Sequence, residues 1–98
     1  MEALYIVSTP IGNLEDLSPR AQKILDSVDV VLCEDTRRTS HLTSNKLLRF
    51  DEHTEAKLLP EVLTYKNVAL VSDAGTPLIS DPGYKLVREC IRRGVPVI

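Results

Sequence analysis

The sequence predicts an α/β fold built on a parallel sheet, and three observations carry that reading. Short apolar runs recur without polar alternation, first at Leu4, Tyr5, Ile6 and Val7 and last at Val68, Ala69, Leu70 and Val71. Strands covered on both faces read this way, because neither face meets water. Between the runs lie segments with apolar residues at helical spacing, and each run gives way to a polar loop. Strands alternating with helices imply parallel βαβ units joined by crossovers of one hand.

Each element has its own signal. The run at residues 4–7 is a buried strand that ends in a turn through Thr9, Pro10, Ile11, Gly12 and Asn13. Ser18 before Pro19 supplies an N-cap and a first helical position, and Ala21, Ile24, Leu25 and Val28 then recur at helical spacing, with an end near Asp26 and Ser27. Residues 28–33 are rich in β-branched side chains and form the second strand. Glu34, Asp35, Thr36, Arg37, Arg38 and Thr39 follow as a loop.

A third short strand is expected over residues 47–50, followed by a helix capped by Thr54 with Leu58, Leu59, Val62 and Leu63 on one side. An interior proline costs about 3 kcal/mol, so Pro60 is expected to start a new turn or kink the element. Residues 68–71 are the fourth strand. Asp81 and Pro82 open a last helix with Tyr84, Val87, Cys90 and Ile91 on one face, Gly94 stops it, and residues 95–98 begin a fifth strand. An apolar strand with nothing after it leads us to expect a fragment of a longer protein.

Composition narrows the function. Ninety-eight residues allow one compact domain, and a formal charge of −2 excludes a broad electrostatic grip on nucleic acid, leaving room only for a local basic patch. There is no apolar run of about 18 residues and no signal-peptide pattern at the start, so a cytosolic protein without a membrane partner is expected. Cys33 and Cys90 suit reduced core positions better than a disulfide. His41 and His53 lack metal-ligand spacing, so no metal site is expected.

Ligands of parallel sheets bind beyond the carboxyl ends of the strands, so the loops at residues 9–16, 34–39 and 72–82 are expected to share one cleft. The first has one glycine, which excludes both the dinucleotide fingerprint and a Walker loop and leaves an ordinary turn or a cleft wall. The second offers carboxylates, a hydroxyl and guanidinium groups for acid–base work or phosphate contact, or else is a solvated charged loop. In the third, Gly75 permits close backbone approach. Residue chemistry alone leaves its ligand open, and a packed connection with Asp73 and Asp81 as turn and cap residues would also explain it.

Four segments carry a more specific signal: LYIVSTPIGNLEDLSPRA at 4–21, VDVVLCEDTRRT at 28–39, FDEHTE at 50–55 and VALVSDAGTPLISDPGYKLV at 68–87. In these, covering nearly the whole chain, the sequence resembles the ribosomal RNA 2′-O-methyltransferase branch of the tetrapyrrole-methylase superfamily. The resemblance implies the amino-terminal half of a two-domain fold, with S-adenosylmethionine bound between the domains, often in a homodimer. It implies methyl transfer to the ribose 2′-oxygen of a cytidine in 16S rRNA of the small ribosomal subunit.

By the same resemblance, Ser72, Asp73, Ala74, Gly75, Thr76, Pro77, Leu78 and Ile79 form the cofactor loop. Thr9, Pro10, Gly12, Asn13, Thr36, Arg37 and Arg38 line the cleft nearer the acceptor. A ribose hydroxyl is a weak nucleophile, and Asp35, Glu34 and His53 are the candidates for removing its proton. The chain departs from the family in having Asp51 and Thr54 where histidine and asparagine are usual, and in shorter stretches at 39–47 and 63–67. Tetrapyrrole methylation is the rival of the same class, and a non-catalytic RNA-binding or assembly module the rival of another.

Overall fold

The computed structural model describes residues 1–9, 17–73 and 83–98, with Asp73 described by its backbone alone. Along the chain run β1 (Ala3–Thr9), α1 (Pro19–Ser27), β2 (Val30–Cys33), α2 (Thr36–Thr39), β3 (Leu47–Arg49), α3 (Glu55–Val62), β4 (Asn67–Asp73) and α4 (Tyr84–Arg92). The strands pair in parallel in the order β1-β4-β2-β3. Beyond β1, Val97 pairs in parallel with Leu4, through hydrogen bonds from Leu4 N to the Pro96 carbonyl (2.9 Å) and from Ile98 N to the Leu4 carbonyl (2.8 Å). The expected fifth strand therefore begins as a parallel neighbour of β1.

Crossovers of one hand explain the layers. The chain moves one way across the sheet from β1 to β2, and the opposite way from β3 to β4 and from β4 to residue 97. Reversing direction while keeping the hand moves the connecting helix to the other face. Leu25, Ala21 and Ile24 of α1 accordingly pack on Tyr5, Val7, Val31, Cys33, Ala69 and Val71. Val62 of α3 with Leu86, Val87 and Cys90 of α4 packs on the alternate residues Leu4, Ile6, Val30, Leu32, Val68 and Leu70. Successive strand residues thus enter two different apolar cores, which is why the runs show no polar alternation.

Local chemistry sets the ends. The Ser18 hydroxyl accepts from Ala21 N at 3.1 Å with Pro19 in the first helical turn, as expected for α1. Its last carbonyls are satisfied from a distance: Asn45 Nδ2 donates to the Leu25 and Val28 carbonyls at 2.9 and 2.7 Å, and Thr43 Oγ1 donates to Asp26 Oδ1 at 2.7 Å. These bonds close the short connection from α2 to β3. The still shorter connection from α3 to β4 closes as a tight turn, with Thr64 N bonded to the Glu61 carbonyl and Tyr65 N to the Val62 carbonyl. Cys33 and Cys90 are both buried, and burial pushes the Cys90 thiol up from its ordinary value.

Four expectations need correction. Residues 36–39 are not loop but one helical turn, because the Asp35 carboxylate accepts from Arg37 N and Arg38 N and nucleates it. Thr54 makes no side-chain cap to α3. Asp51 does the capping instead, accepting from His53 N (2.8 Å) and Thr54 N (3.0 Å), while Thr54 Oγ1 accepts in return from Asp51 N (2.9 Å), a reciprocal box. Pro60 starts no new turn but lies inside α3, tolerated because Pro60 and Ala56, whose carbonyl it leaves without an N–H, both face solvent. In α4 the buried residues are Leu86, Val87 and Cys90, whereas Tyr84 and Ile91 are 46% and 68% exposed. Gly94 does follow the end of α4, at φ +73°, and Arg92 and Arg93 there both bond to Glu89, whose carboxyl they hold down to about 2.

Candidate functional site at the carboxyl edge of the sheet

Because every strand is parallel, the segments that follow β1, β2, β3 and β4 all leave from one edge. Three of those strands are immediate neighbours, with β4 between β1 and β2, so the first, second and fourth loops depart side by side. Thr9 is in register with Asp73, and its hydroxyl donates to the Ser72 carbonyl at 3.2 Å. Thr9, at 3% exposure, ties the ends of β1 and β4 together. Ser72 is half-buried beside it.

Across β4, the end of β2 presents Glu34 and Asp35, both exposed. Asp35 is tied by Oδ1 to the amides of Arg37 (3.0 Å) and Arg38 (3.2 Å), the orphan donors at the start of α2. That bond fixes where the two guanidinium side chains begin. Arg37 is exposed, Arg38 and Thr36 are half-buried, and Thr39 is buried. Cys33, Glu34, Asp35, Arg38, Thr39 and Val71 enclose a cleft of about 10 Å³, room for about one water molecule. Larger grooves of about 460 and 530 Å³ run along α1, but their walls are mostly apolar residues and cationic stems, and the chemistry-bearing residues lie elsewhere.

His53 is brought to the same edge but not to the same cluster. It follows β3, the outermost strand, three strand spacings or roughly 14 Å from β1. Its side chain is exposed and lies 3.6 Å from Glu52 Oε1. The neighbouring Asp51 carboxyl sits below its ordinary value: burial opposes this, but the amides of His53 and Thr54, the Thr54 side chain and Arg49 together outweigh it.

Pro10, Gly12 and Asn13 of the first loop, and Ala74, Gly75, Thr76, Pro77, Leu78 and Ile79 of the fourth, lie outside the described residues, as do Asp81 and Pro82. Among the described residues no cluster of three or more His, Cys, Asp or Glu is placed to hold a metal ion. No helix among them is long and apolar enough to cross a membrane.

Sequence reasoning missed one residue of this edge. Glu55, the first residue of α3, is 1% exposed, and its Oε2 accepts from Gly83 N at 3.2 Å and Leu86 N at 3.0 Å. It caps α4, whose own N-cap position holds Gly83 at φ +110° with no side chain to do so. A charged residue at the start of a helix is ordinary, and only the fold reveals that a second helix starts against it.

Comparison with known proteins places this arrangement. A protein called ribosomal RNA small subunit methyltransferase I from Thermotoga maritima is 52% identical over 99% of the chain and 48% of its own length. Proteins of the same name from Vibrio cholerae and Escherichia coli O157:H7 are 49% and 47% identical over 97% of the chain and 36% of their own lengths. The chain thus spans less than half of the curated relatives it matches. Uroporphyrin-III C-methyltransferase from Thermus thermophilus, solved in complex with S-adenyl homocysteine, shares the fold at TM-score 0.73 and 24% identity, over 98% of the chain and 42% of that structure. The model of the tetrapyrrole (corrin/porphyrin) methylases matches residues 3–98, and the chain belongs to that family.

Proposed function

We propose that this chain is the amino-terminal α/β half of a two-domain, S-adenosylmethionine-dependent methyltransferase acting on ribosomal RNA of the small subunit. Its acceptor is the ribose 2′-oxygen of a cytidine in 16S rRNA, and the protein works in the cytoplasm as a homodimer. The observation that carries the reading is the identity of 47–52%, spread over nearly the whole chain, to proteins named as small-subunit ribosomal RNA methyltransferases. Tetrapyrrole methylation draws on a fold likeness at 24% identity, which speaks for architecture alone.

The residue types at the edge suit the cofactor. S-adenosylmethionine carries an ammonium, a carboxylate and ribose hydroxyls, and the end of β4 offers a half-buried hydroxyl at Ser72 followed by an acidic residue and two small ones, Ala74 and Gly75. Ser72, Asp73, Ala74, Gly75, Thr76, Pro77, Leu78 and Ile79 would hold it. When bound, it supplies a methyl group already activated on sulfonium, with no call for a metal. The chain's own task is alignment. The Thr9–Ser72 bond holds the ends of β1 and β4 in fixed register, giving the cleft a rigid wall. Asp35 and Glu34, at the end of β2, are the carboxylates we assign to the ribose proton, with His53 farther out beyond the outer strand.

Incubating the full-length protein with methyl-labelled S-adenosylmethionine tests the reading. Label in RNA of small subunits lacking the modification is expected. Label in a tetrapyrrole, or in nothing, would assign the chain to another branch or to a non-catalytic role. Arg37 and Arg38 should meet RNA phosphate. Replacing both with alanine should flatten the dependence of log affinity on log salt by about 0.7–0.9 per lost contact. An unaltered slope in filter-binding titrations would remove them from the RNA surface.

A further inference from the structure

The outer face of α4 carries charges that its own stability does not explain. Residues 84–93 hold four of the chain's 12 Lys and Arg and one of its 14 Asp and Glu, in a chain whose formal charge is −2. Leu86, Val87 and Cys90 turn into the core, and the opposite side shows Lys85, Arg88 and Arg92, all exposed. Their spacing of three and then four residues sets them in one stripe, roughly 10 Å from first to last along the helix. Tyr84 and Ile91, 46% and 68% exposed, flank it.

A cation in the last turn of a helix is favoured by the helix dipole, which accounts for Arg92 and Arg93. The same dipole opposes Lys85 in the first turn, where no acidic residue stands. Like charges three or four residues apart also repel, and Lys85 with Arg88 and Arg88 with Arg92 are two such pairs. Glu89 takes up Arg92 and Arg93 on one flank, but among the described residues neither Lys85 nor Arg88 is paired with a carboxylate. Arg88 lies instead over the Tyr84 ring, 5.6 Å from its centroid. A polyanion relieves the repulsion along such a stripe, whereas the same face of a second copy would double it. An exposed ring and a guanidinium beside the cations narrow the polyanion to a nucleic acid, because unpaired bases stack on both.

The stripe also begins beside the site. The amides of Gly83 and Leu86 are held by Glu55 at the start of α3, which itself follows the carboxyl end of β3. From there α4 runs back to the opposite edge, where Leu4 N donates to the Pro96 carbonyl. Tyr84 and Lys85 therefore stand towards the edge that carries Ser72 and Glu34, and Arg88 and Arg92 lead away from it.

Resting on the reading of the chain as a ribosomal RNA methyltransferase, we propose that the outer face of α4 is a docking surface for that RNA away from the acceptor nucleotide. Lys85 and Arg88, with Arg92 beyond them, meet phosphates, and Tyr84 stacks on an unpaired base. None of them touches the reacting atoms.

The experiment uses the full-length protein and small subunits lacking the modification, with filter binding across a salt series, steady-state kinetics, melting temperature and sedimentation. Replacing Lys85 and Arg88 together with glutamine should weaken binding at low salt roughly tenfold and flatten the salt slope by about 0.7–0.9 per lost contact. KM for the RNA should rise in step, with KM for S-adenosylmethionine and kcat at saturating RNA nearly unchanged. Melting temperature should hold or rise, since repulsion is removed, and a merely structural role would not produce that combination. Tyr84→Leu should weaken binding roughly five- to tenfold without altering the slope, and Tyr84→Phe, which keeps the ring, should bind within about twofold of wild type. Glutamine and leucine variants that bind with wild-type affinity and slope overturn the proposal while the methyltransferase reading stands. Variants that change the oligomeric state assign the face to a second copy and overturn it equally. A wild-type protein that neither binds nor methylates the subunits overturns that reading and the proposal with it.

Discussion

Phe50→Ala is expected to cost about 3–5 kcal/mol, the usual range for emptying a fully buried aromatic site. A domain of this size has roughly 5–15 kcal/mol to lose, at about 0.05–0.15 kcal/mol per residue. Phe50 is fully buried and heads the largest such side chains. It packs in the core under α3 and α4 and directly precedes Asp51, whose carboxylate caps the turn into α3. Its N–H also donates to the Cys33 carbonyl at 2.8 Å, so the end of β3 and the start of the turn both depend on where the ring sits. In urea titrations followed by circular dichroism the midpoint should fall by roughly 2 M, or the variant should be unfolded without denaturant. A midpoint within experimental error of wild type would mean that the core on this face of the sheet is not assembled as described.

The second large effect concerns activity. The 98-residue chain, assayed alone on small subunits lacking the modification, should transfer methyl groups at least a thousandfold more slowly than the full-length protein. The expectation rests on the two-domain reading, since the matching region makes up only 36–48% of the named relatives. If the cofactor lies between two walls, one wall forfeits part of its binding energy, and each 1.4 kcal/mol so lost weakens affinity about tenfold. A loosely held donor also spends little time aligned with its acceptor. Adding the missing domain as a separate chain at high concentration should recover part of the rate. Full-length activity from the 98-residue chain alone would refute both the cleft and the location of the site.

Much of this architecture was legible because its signals are local. Ser18 and Pro19 announce α1, and the runs at residues 4–7 and 68–71 announce strands covered on both sides. The misread features are those decided by neighbours distant in sequence or by too few residues. Thr36–Thr39 is too short to show a period, and its helical turn exists because Asp35 reaches forward to two amides. Thr54 and Asp51 are both good capping residues, and only the backbone decides which amides each one takes. The last helix offers apolar residues at 84, 86, 87, 90 and 91, a stripe wide enough to be set against the sheet in more than one rotation. Packing with Leu4, Val62, Val68 and Leu70 buries Leu86, Val87 and Cys90.

The site divides along the same line. Sequence pattern named the loops that leave the carboxyl edge, and the parallel pairing brings the ends of β1, β4 and β2 together. It did not rank the residues within them. Only the fold shows the Thr9 hydroxyl bound to the Ser72 carbonyl, and only the fold shows the Asp35 carboxylate holding two amides of α2. Glu55 was invisible for the strongest reason, since its partners lie 28 and 31 residues away.

The order β1-β4-β2-β3 also governs how the protein can be made. β4, the last of these strands to be synthesised, occupies the middle, and the residues it joins to β1 stand 63 positions apart at Thr9 and Ser72. At ribosomal speeds of 5–20 residues per second, roughly 3–13 s separate the appearance of the first strand from that of its partner. Through that interval β1 and β2 lack the neighbour that will finally lie between them, and their apolar edges are open to wrong pairing. Closing so long a loop before any contact rewards it is also a slow step for a nascent chain. The strand at the heart of the sheet is thus the last to arrive, and β1 and β2 stay open until β4 slots between them.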